Sequence, residues 1–210
     1  MTNIPGFHGG MRPHPEALYF HIARDSVDAA KNESDEFRRK QLVATAIVFA
    51  AMCLEAFINQ EYAVRVQELE EDFERVPLDT KWRALPLLLG ATESFDRGKQ
   101  PYQTFRTLVS VRNGLVHFKP AGQTRETGRE YGRAYFGDVV EDVTTAGRYV
   151  ECIAEMIREL NRLTNGKTDL PNFLKGDRYL SEVWASFTVA YESTSQQPAV
   201  GTKGSPEKDS

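Results

Sequence analysis

The sequence predicts an all-α fold, an up-and-down bundle of four to five helices with a long apolar central helix. Apolar residues recur at spacings of three and four, Pro or Gly flanks most of these segments, and no alternating strand pattern is bounded by hairpin turns. With 210 residues, 40% hydrophobic and 27% charged, the chain is long and apolar enough for one core. We expect a flexible lead-in over 1–14, a single helical domain over 15–189 and a disordered tail over 190–210.

The first two helices are predicted from their start signals. Pro15 suits the first turn of a helix that continues without a breaker to about Lys31. Ser34 then opens the longest helix, in which apolar residues recur from Phe37 as far as Leu69.

The middle of this long helix, residues 42–58, is apolar on nearly all sides. It is shorter than the ~20 residues that span a bilayer, and it carries Glu55. We therefore expect a helix surrounded by other helices and no membrane interaction.

Two further helices follow in the middle of the chain. Pro77 precedes a short apolar helix that is predicted to kink at Pro86 and to stop at Gly90. Pro101 starts another helix, which ends before Pro120. The inner side of that helix is predicted to consist of Phe105, Leu108, Val111, Leu115 and Val116.

The last helix has the clearest periodicity in the chain. Its apolar positions run from Val139 to Leu163, and it is predicted to end at Asn165 and Gly166. The Gly-rich, polar stretch over 118–137 that precedes it is predicted to be a long basic loop or insertion, and the aromatic coda over 170–189 adds at most a short helix.

The cysteines and histidines favour a protein without a metal or a cofactor. Cys53 and Cys152 lie in apolar helical segments, which is typical of reduced core thiols in the cytoplasm. The four histidines are not spaced as a local metal site, and neither HExxH nor a Gly-rich phosphate loop occurs.

Chemistry is concentrated at the end of the helix that Pro101 starts. In the segment RNGLVH, Asn113 and His117 lie one turn apart, and the long stem of Arg112 can curl back from about 140° away. A guanidinium holds a phosphate in a forked geometry, and an imidazole exchanges protons near neutral pH. We interpret Arg112, Asn113 and His117 as a catalytic set suited to cleaving an RNA phosphodiester.

Simpler interpretations remain open for each of these residues. Arg112 could be a structural partner of Glu55, since a buried carboxylate needs a cation or donors. Glu55 and Asn59, at i and i+4, form either a second wall of the site or a polar helix edge. Asn113 could act only as a cap, and His117 could be a histidine stabilised by the helix C-terminus.

Positive charge surrounds the candidate site. Residues 97–133 contain eight basic and two acidic residues, a net charge of +6, so the rest of the chain carries −10. We assign RNA binding to the four cations that follow the site, although a basic solvated loop is the alternative. These four are Lys119, Arg125, Arg129 and Arg133.

Three segments together resemble a known family. The segment RNGLVHFKP over 112–120, the helix segment CLEAFIN over 53–59 and the intervening KWRALPLLLG over 81–90 are similar to the HEPN (higher eukaryotes and prokaryotes nucleotide-binding) domain. The family's hallmark is an Arg followed directly by a polar residue and, after four to six residues, by a His. Arg112, Asn113 and His117 match it.

The resemblance covers roughly residues 16–165 and implies a function. HEPN domains are helical and usually dimeric, and many are metal-independent endoribonucleases of toxin–antitoxin or phage-defence systems. The resemblance thus implies RNA cleavage by 2′-hydroxyl attack, a homodimer, and an antitoxin or immunity partner. Other members have lost activity, so the alternative is a non-catalytic helical module that binds nucleotide, RNA or a protein partner.

Overall fold

The computed structural model describes residues 15–66, 73, 75–116, 142–168 and 170–174. Within these ranges 78% of the residues are helical and no strand occurs, so the predicted all-α fold is confirmed. The predictions for the lead-in over 1–14, the loop over 118–137 and the tail over 190–210 lie outside the described residues.

Five α-helices make up the described part of the chain. They are α1 (Pro15–Asn32), α2 (Glu36–Arg65), α3 (Leu78–Leu88), α4 (Tyr102–Val116) and α5 (Val143–Leu163). The chain forms two compact units, residues 1–171 and 172–210, and all five helices belong to the first. The second unit contains the 3-10 turn Asn172–Leu174 among its described residues, so the predicted domain over 15–189 extends across both units.

Aspartate side chains cap the two most regular helices. Asp35, one residue beyond the predicted Ser34, accepts a hydrogen bond from the backbone nitrogen of Arg38 at 2.7 Å and starts α2. Asp142 accepts one from the backbone nitrogen of Thr145 at 2.8 Å and starts α5. Each cap satisfies a helix N–H that would otherwise lack a partner, and such a cap contributes about 1 kcal/mol.

The predicted helix ends are confirmed where the backbone turns left-handed. Gly90, with a φ of 83°, follows α3, which contains Pro86 as predicted. Asn165 and Gly166, with φ values of 51° and 77°, follow α5. Gly and Asn adopt this conformation at little cost, so they terminate helices at these positions.

Helix α2 is the centre of the bundle and packs against each of the other four helices. A connection of only three residues, 33–35, makes α1 its antiparallel neighbour. Helix α5 packs against α1, α2 and α4. The completely buried side chains of α2 are those of Ala46, Ile47, Ala50, Cys53, Leu54 and Ile58.

Among the described residues, α2 is the one helix that is long and apolar enough to cross a membrane, by length and composition only. Its most apolar stretch is 56% buried inside the protein. A helix that is apolar on nearly all sides and is covered by four others is typical of a protein core, as the sequence predicted for residues 42–58.

Two residues of the apolar patterns are on the surface: Phe37, with which the pattern of α2 begins, and Val116, which was assigned to the inner side of its helix. Phe37 is 66% exposed because it lies in the first turn of α2, whereas the buried residues of that helix begin at Val43. Val116 is 50% exposed because it is the last residue of α4, whose buried residues end at Leu108. Both helices therefore extend beyond the neighbours that cover their middles.

A cluster of aromatic rings joins three helices. The fully buried ring of Trp82 on α3 lies 5.9 Å from Phe57 of α2, 5.8 Å from Phe95 and 5.8 Å from Phe105 of α4, measured between ring centroids. Rings at these separations attract one another beyond the burial of their surface. The cluster therefore holds α3 and α4 in place against α2.

Two buried tyrosines connect the helices through their hydroxyl groups. Tyr62 donates to the carbonyl oxygen of Lys81 at 3.0 Å, and Tyr102 donates to that of Asp79 at 2.9 Å. Burial raises the pKa of both phenols, that of Tyr102 to about 12. Both therefore remain protonated donors at neutral pH.

Both cysteines are free and buried, as the sequence predicted. Burial raises the pKa of the Cys53 thiol, and it raises that of Cys152 to about 12. A thiol that stays protonated is a poor nucleophile, so neither cysteine is suited to catalysis.

The contrast between the middle and the start of α2 can be tested by truncating two side chains. Leu54→Ala removes a fully buried side chain and is expected to lower the free energy of unfolding by about 2–5 kcal/mol. Phe37→Ala, on the exposed first turn, is the matched control and should change it by about 0.5 kcal/mol or less. Urea unfolding followed by circular dichroism measures both, and equal losses would contradict the packing described here.

Candidate functional site

The structure brings together three of the residues that the sequence assigned to the site. The Nη2 atom of Arg112 on α4 lies 2.9 Å from Oε2 of Glu55 on α2. Its Nη1 atom donates to Oδ1 of Asn113 at 3.0 Å. Arg112 thus links the central helix to α4, and its predicted pairing with Glu55 is confirmed.

The flexible stem of the arginine makes this arrangement possible. Helix α4 continues through Gly114 to Val116 and does not unwind at the glycine. Arg112 and Asn113 therefore leave the helix about 100° apart. Their contact forms because the arginine side chain curls towards its neighbour, as the sequence analysis allowed.

Arg112 keeps hydrogen-bonding capacity for a ligand. A guanidinium has five N–H groups, and two of them are used by Glu55 and Asn113 within the described residues. The side chain is 24% exposed, so the remaining donors are accessible at the surface. Asn113 accepts through its oxygen, which leaves its exposed amide NH₂ to donate. Together the two residues can bind an oxyanion such as a phosphate.

Glu55 orients the arginine more than it stabilises the fold. Its side chain is 39% exposed, and ion pairs that are open to water contribute at most about 1 kcal/mol. Glu55 occupies one of the five N–H groups of the guanidinium, and the others can form charge-assisted hydrogen bonds with phosphate oxygens. A phosphate can therefore engage Arg112 while Glu55 holds it in place.

The second residue of the predicted wall, Asn59, binds a different cation. Its Oδ1 atom accepts from Nζ of Lys81 at 2.8 Å. Because Glu55 and Asn59 are one turn apart, neighbouring positions of α2 hold a cation from α4 and a cation from α3. Whether the two residues are a wall of the site stays a prediction.

Lys81 is a residue that sequence reasoning missed. It is buried, at 5% exposure, and its backbone oxygen accepts from Tyr62 on α2. Nothing in the local sequence distinguishes it from a solvated lysine in the first turn of a helix. Its position depends on how α3 packs on α2, which periodicity does not specify.

Five predicted site residues lie outside the described part of the chain: His117, Lys119, Arg125, Arg129 and Arg133. The described portion of α4 ends at Val116, immediately before the histidine. The catalytic role of His117 and the RNA-binding role of the four cations therefore stay predictions.

Neither of two open cavities in the first unit includes Arg112. One, of about 440 Å³, lies between the segment 93–102 and Glu159 and Arg162 of α5. The other, of about 370 Å³, lies between α4 and α5 and includes Arg148. Neither cavity is therefore part of the candidate site as the described residues form it.

In the described ranges, no group of three or more His, Cys, Asp or Glu side chains is arranged to hold a metal ion. The predicted metal-free site also includes His117, which lies outside the described residues, so the absence of a metal stays a prediction.

The Glu55–Arg112 pair can be measured with a double-mutant cycle. We expect Glu55→Gln, Arg112→Gln and the double variant to give a coupling free energy of about 0.2–1 kcal/mol in urea unfolding. This coupling should decrease at high salt because the pair is partly exposed. The exposed pair of Glu36 and Lys40, which lies within one helix, is the control, and its coupling free energy is expected to be about 0.3–0.5 kcal/mol. Zero coupling would mean that Glu55 and Arg112 do not pair in solution.

Comparison with known proteins adds no relative to this picture. No family model, no curated protein and no solved structure matches the chain.

Proposed function

We propose that the protein is a metal-independent endoribonuclease of the HEPN type that acts in the cytoplasm. The observation that supports this most directly is the position of Arg112. Its guanidinium is oriented by Glu55 and Asn113, is partly exposed, and lies five residues before His117. This is the combination of groups that the resemblance to HEPN domains implies.

In the proposed reaction the ribose 2′-hydroxyl attacks the adjacent phosphorus. A bond forms between the 2′-oxygen and phosphorus, and the bond from phosphorus to the 5′-oxygen of the next nucleotide breaks. His117 takes the proton of the 2′-hydroxyl or supplies one to the leaving 5′-oxygen, and water carries out the other of these two proton transfers. The products are a 2′,3′-cyclic phosphate and a 5′-hydroxyl.

Arg112 and Asn113 have supporting roles in this reaction. The guanidinium neutralises the charge that develops on the phosphate oxygens, and its fixed orientation avoids reorganisation during the reaction. Asn113 holds either the phosphate or the imidazole. Glu55 is a positioning residue, because it acts through Arg112.

We also propose a homodimer with the two sites facing each other. The all-round apolar character of residues 42–58 no longer supports this, because α2 is already covered by four helices of its own chain. Support comes instead from Val116, half exposed at the end of α4 next to His117, and from the exposed Leu87 and Leu88 of α3. An antitoxin or immunity partner is implied by the resemblance alone.

The alternative is a non-catalytic helical module that binds nucleotide, RNA or a protein partner. The Arg112–Glu55 pair supports this alternative, because pairing with a carboxylate is a sufficient reason for the arginine without any substrate. Turnover distinguishes the two functions, because only the enzyme releases a cyclic phosphate.

Cleavage by the proposed mechanism depends on His117 and Arg112. His117→Ala is expected to lower the rate by about 10²- to 10⁴-fold while RNA binding persists. Arg112→Lys keeps the charge but loses the fork, so it is also expected to be impaired. The exposed Arg38→Lys is the matched control and should cleave like the parent. Gel analysis of total RNA and end-group analysis of the products measure these effects.

A chelator in excess should leave the rate unchanged, since no metal takes part in the proposed reaction. Cleavage that disappears with chelator, or that persists at the parental rate in His117→Ala, would falsify the mechanism. The non-catalytic module would then be the better proposal.

The dimer is tested by light scattering on the purified protein. We expect twice the mass of the 23.7 kDa chain at tens of micromolar. Val116→Asp places a charge on the apolar surface beside the site and should shift the mass towards the monomer. A parental protein that is monomeric under these conditions would contradict the proposal.

A further inference from the structure

A second group of cations lies at the start of α4, away from Arg112. It consists of Arg83 on α3, Arg97 in the connecting segment and Arg106 on α4, and we refer to these three residues as the arginine cluster. Its centre is the junction at which the hydroxyl of Tyr102 donates to the carbonyl oxygen of Asp79 at 2.9 Å. Nη2 of Arg97 lies 3.6 Å from the carboxylate of Asp79.

The packing of α3 on α4 brings Arg83 and Arg106 to the same region. Asp79 and Tyr102 meet in the first turns of the two helices, and three residues later Trp82 and Phe105 lie 5.8 Å apart. Arg83 and Arg106 are the next residue of each helix. Each therefore follows the Asp79–Tyr102 contact by one turn of its helix.

The electrostatic environment of Tyr102 agrees with this placement. Burial raises the pKa of its phenol most strongly and the nearby Asp79 raises it further, whereas Arg83, Arg97 and Arg106 all act to lower it. The three guanidinium groups therefore all lie within electrostatic range of one hydroxyl.

The arginine cluster carries more positive charge than its neighbours neutralise. Only Arg97 has an anionic partner among the described residues, and that partner is Asp79. Nε of Arg83 is buried and has no hydrogen-bond partner in the described ranges. Arg106 is exposed and forms no ion pair or hydrogen bond within the same ranges. Arg83 and Arg106 therefore have no counter-charge within these ranges, although the Nε atom of Arg83 itself is not accessible to a ligand.

One face of α4 connects this cluster to the candidate site. Arg106, Ser110 and Asn113 follow one another at spacings of four and three, so they share a face, and all three are exposed. The same spacing continued by four residues reaches His117, which is outside the described ranges. Arg106 and Asn113 are about 10 Å apart along the helix axis.

We infer that the arginine cluster is a second phosphate-binding site, which holds another phosphodiester of the RNA strand whose scissile phosphate lies at Arg112. The inference rests on the proposed function for the position of the scissile phosphate. Guanidinium groups match phosphate oxygens in a forked geometry, and a cluster in which Arg97 and Arg106 are exposed and Arg83 is half-buried attracts a polyanion.

Binding is tested in the full chain carrying His117→Ala, so that the probe is not consumed. The probe is a fluorescently labelled single-stranded RNA of about ten nucleotides, and its anisotropy gives the affinity over a range of salt concentrations. Arg83→Gln with Arg106→Gln is expected to weaken binding about tenfold or more at low salt. The slope of log affinity against log salt should become shallower by about 1.4, since each phosphate contact on a single strand contributes about 0.7.

The control is Arg38→Gln with Arg158→Gln, which removes the same charge from exposed positions on α2 and α5. It should leave the affinity within about twofold of the parent and the slope unchanged. Arg106→Gln alone is included because Arg106 is exposed, so its replacement is not expected to disturb the fold. This variant should make the slope shallower by about 0.7. The inference would be overturned if both cluster variants kept the affinity and the salt slope of the parent. It would also be overturned if the control lost as much affinity as the cluster variants.

Two further arms separate the outcomes. Adenosine monophosphate and inorganic phosphate should displace the RNA only weakly, and a mononucleotide that binds the cluster as tightly as RNA would overturn the inference. Cluster-dependent RNA binding by a chain that does not cleave RNA would remove the proposed nuclease and leave the second site. RNA cleavage that does not depend on the arginine cluster would remove the second site and leave the proposed nuclease. A parental protein that binds no RNA would overturn both proposals.

Discussion

The burial of α2 is the constraint on which the rest of the structure depends. This helix of 30 residues packs against all four others, so a polar side chain in its middle must reach the surface or find a partner on a neighbouring helix. Glu55 pairs with Arg112 of α4, and Asn59 accepts from Lys81 of α3. The candidate site therefore forms where the central helix changes from apolar to polar, and the partners of its polar residues are cations.

The Trp82 ring cluster decides which surfaces of α3 and α4 remain free. Trp82 and Phe105 are fully buried, whereas the next residue of each helix is not: Arg83 is half-buried and Arg106 is exposed. On α4, Arg106 shares its face with Asn113, while Arg112 reaches back to α2. The packing that builds the core thus also leaves Arg106 and Asn113 together on the exposed side of one helix.

Much of the fold follows from local signals, whereas the partners of individual residues do not. Stop signals such as Gly90 were read correctly because a left-handed residue ends a helix wherever the helix packs. Val116 was assigned to the inner side of its helix because periodicity does not show where a neighbouring helix ends. The pairing of Glu55 with Arg112 was foreseen as one alternative, since a carboxylate on an apolar helix needs a cation. Lys81 was missed because its burial depends on tertiary packing alone.

The end of α4 is difficult to explain by stability alone. Its pair with Glu55 is open to water and contributes at most about 1 kcal/mol, so the fold does not require an arginine at position 112. Asn113 and Gly114 follow it inside the helix, and both are poor helix formers, with glycine costing about 1 kcal/mol relative to alanine. Asn113 is exposed and buries nothing that offsets this cost. Residues that disfavour the helix in which they lie are expected where a surface serves binding or catalysis. Here Asn113 and Gly114 lie directly beside an oriented, partly exposed guanidinium.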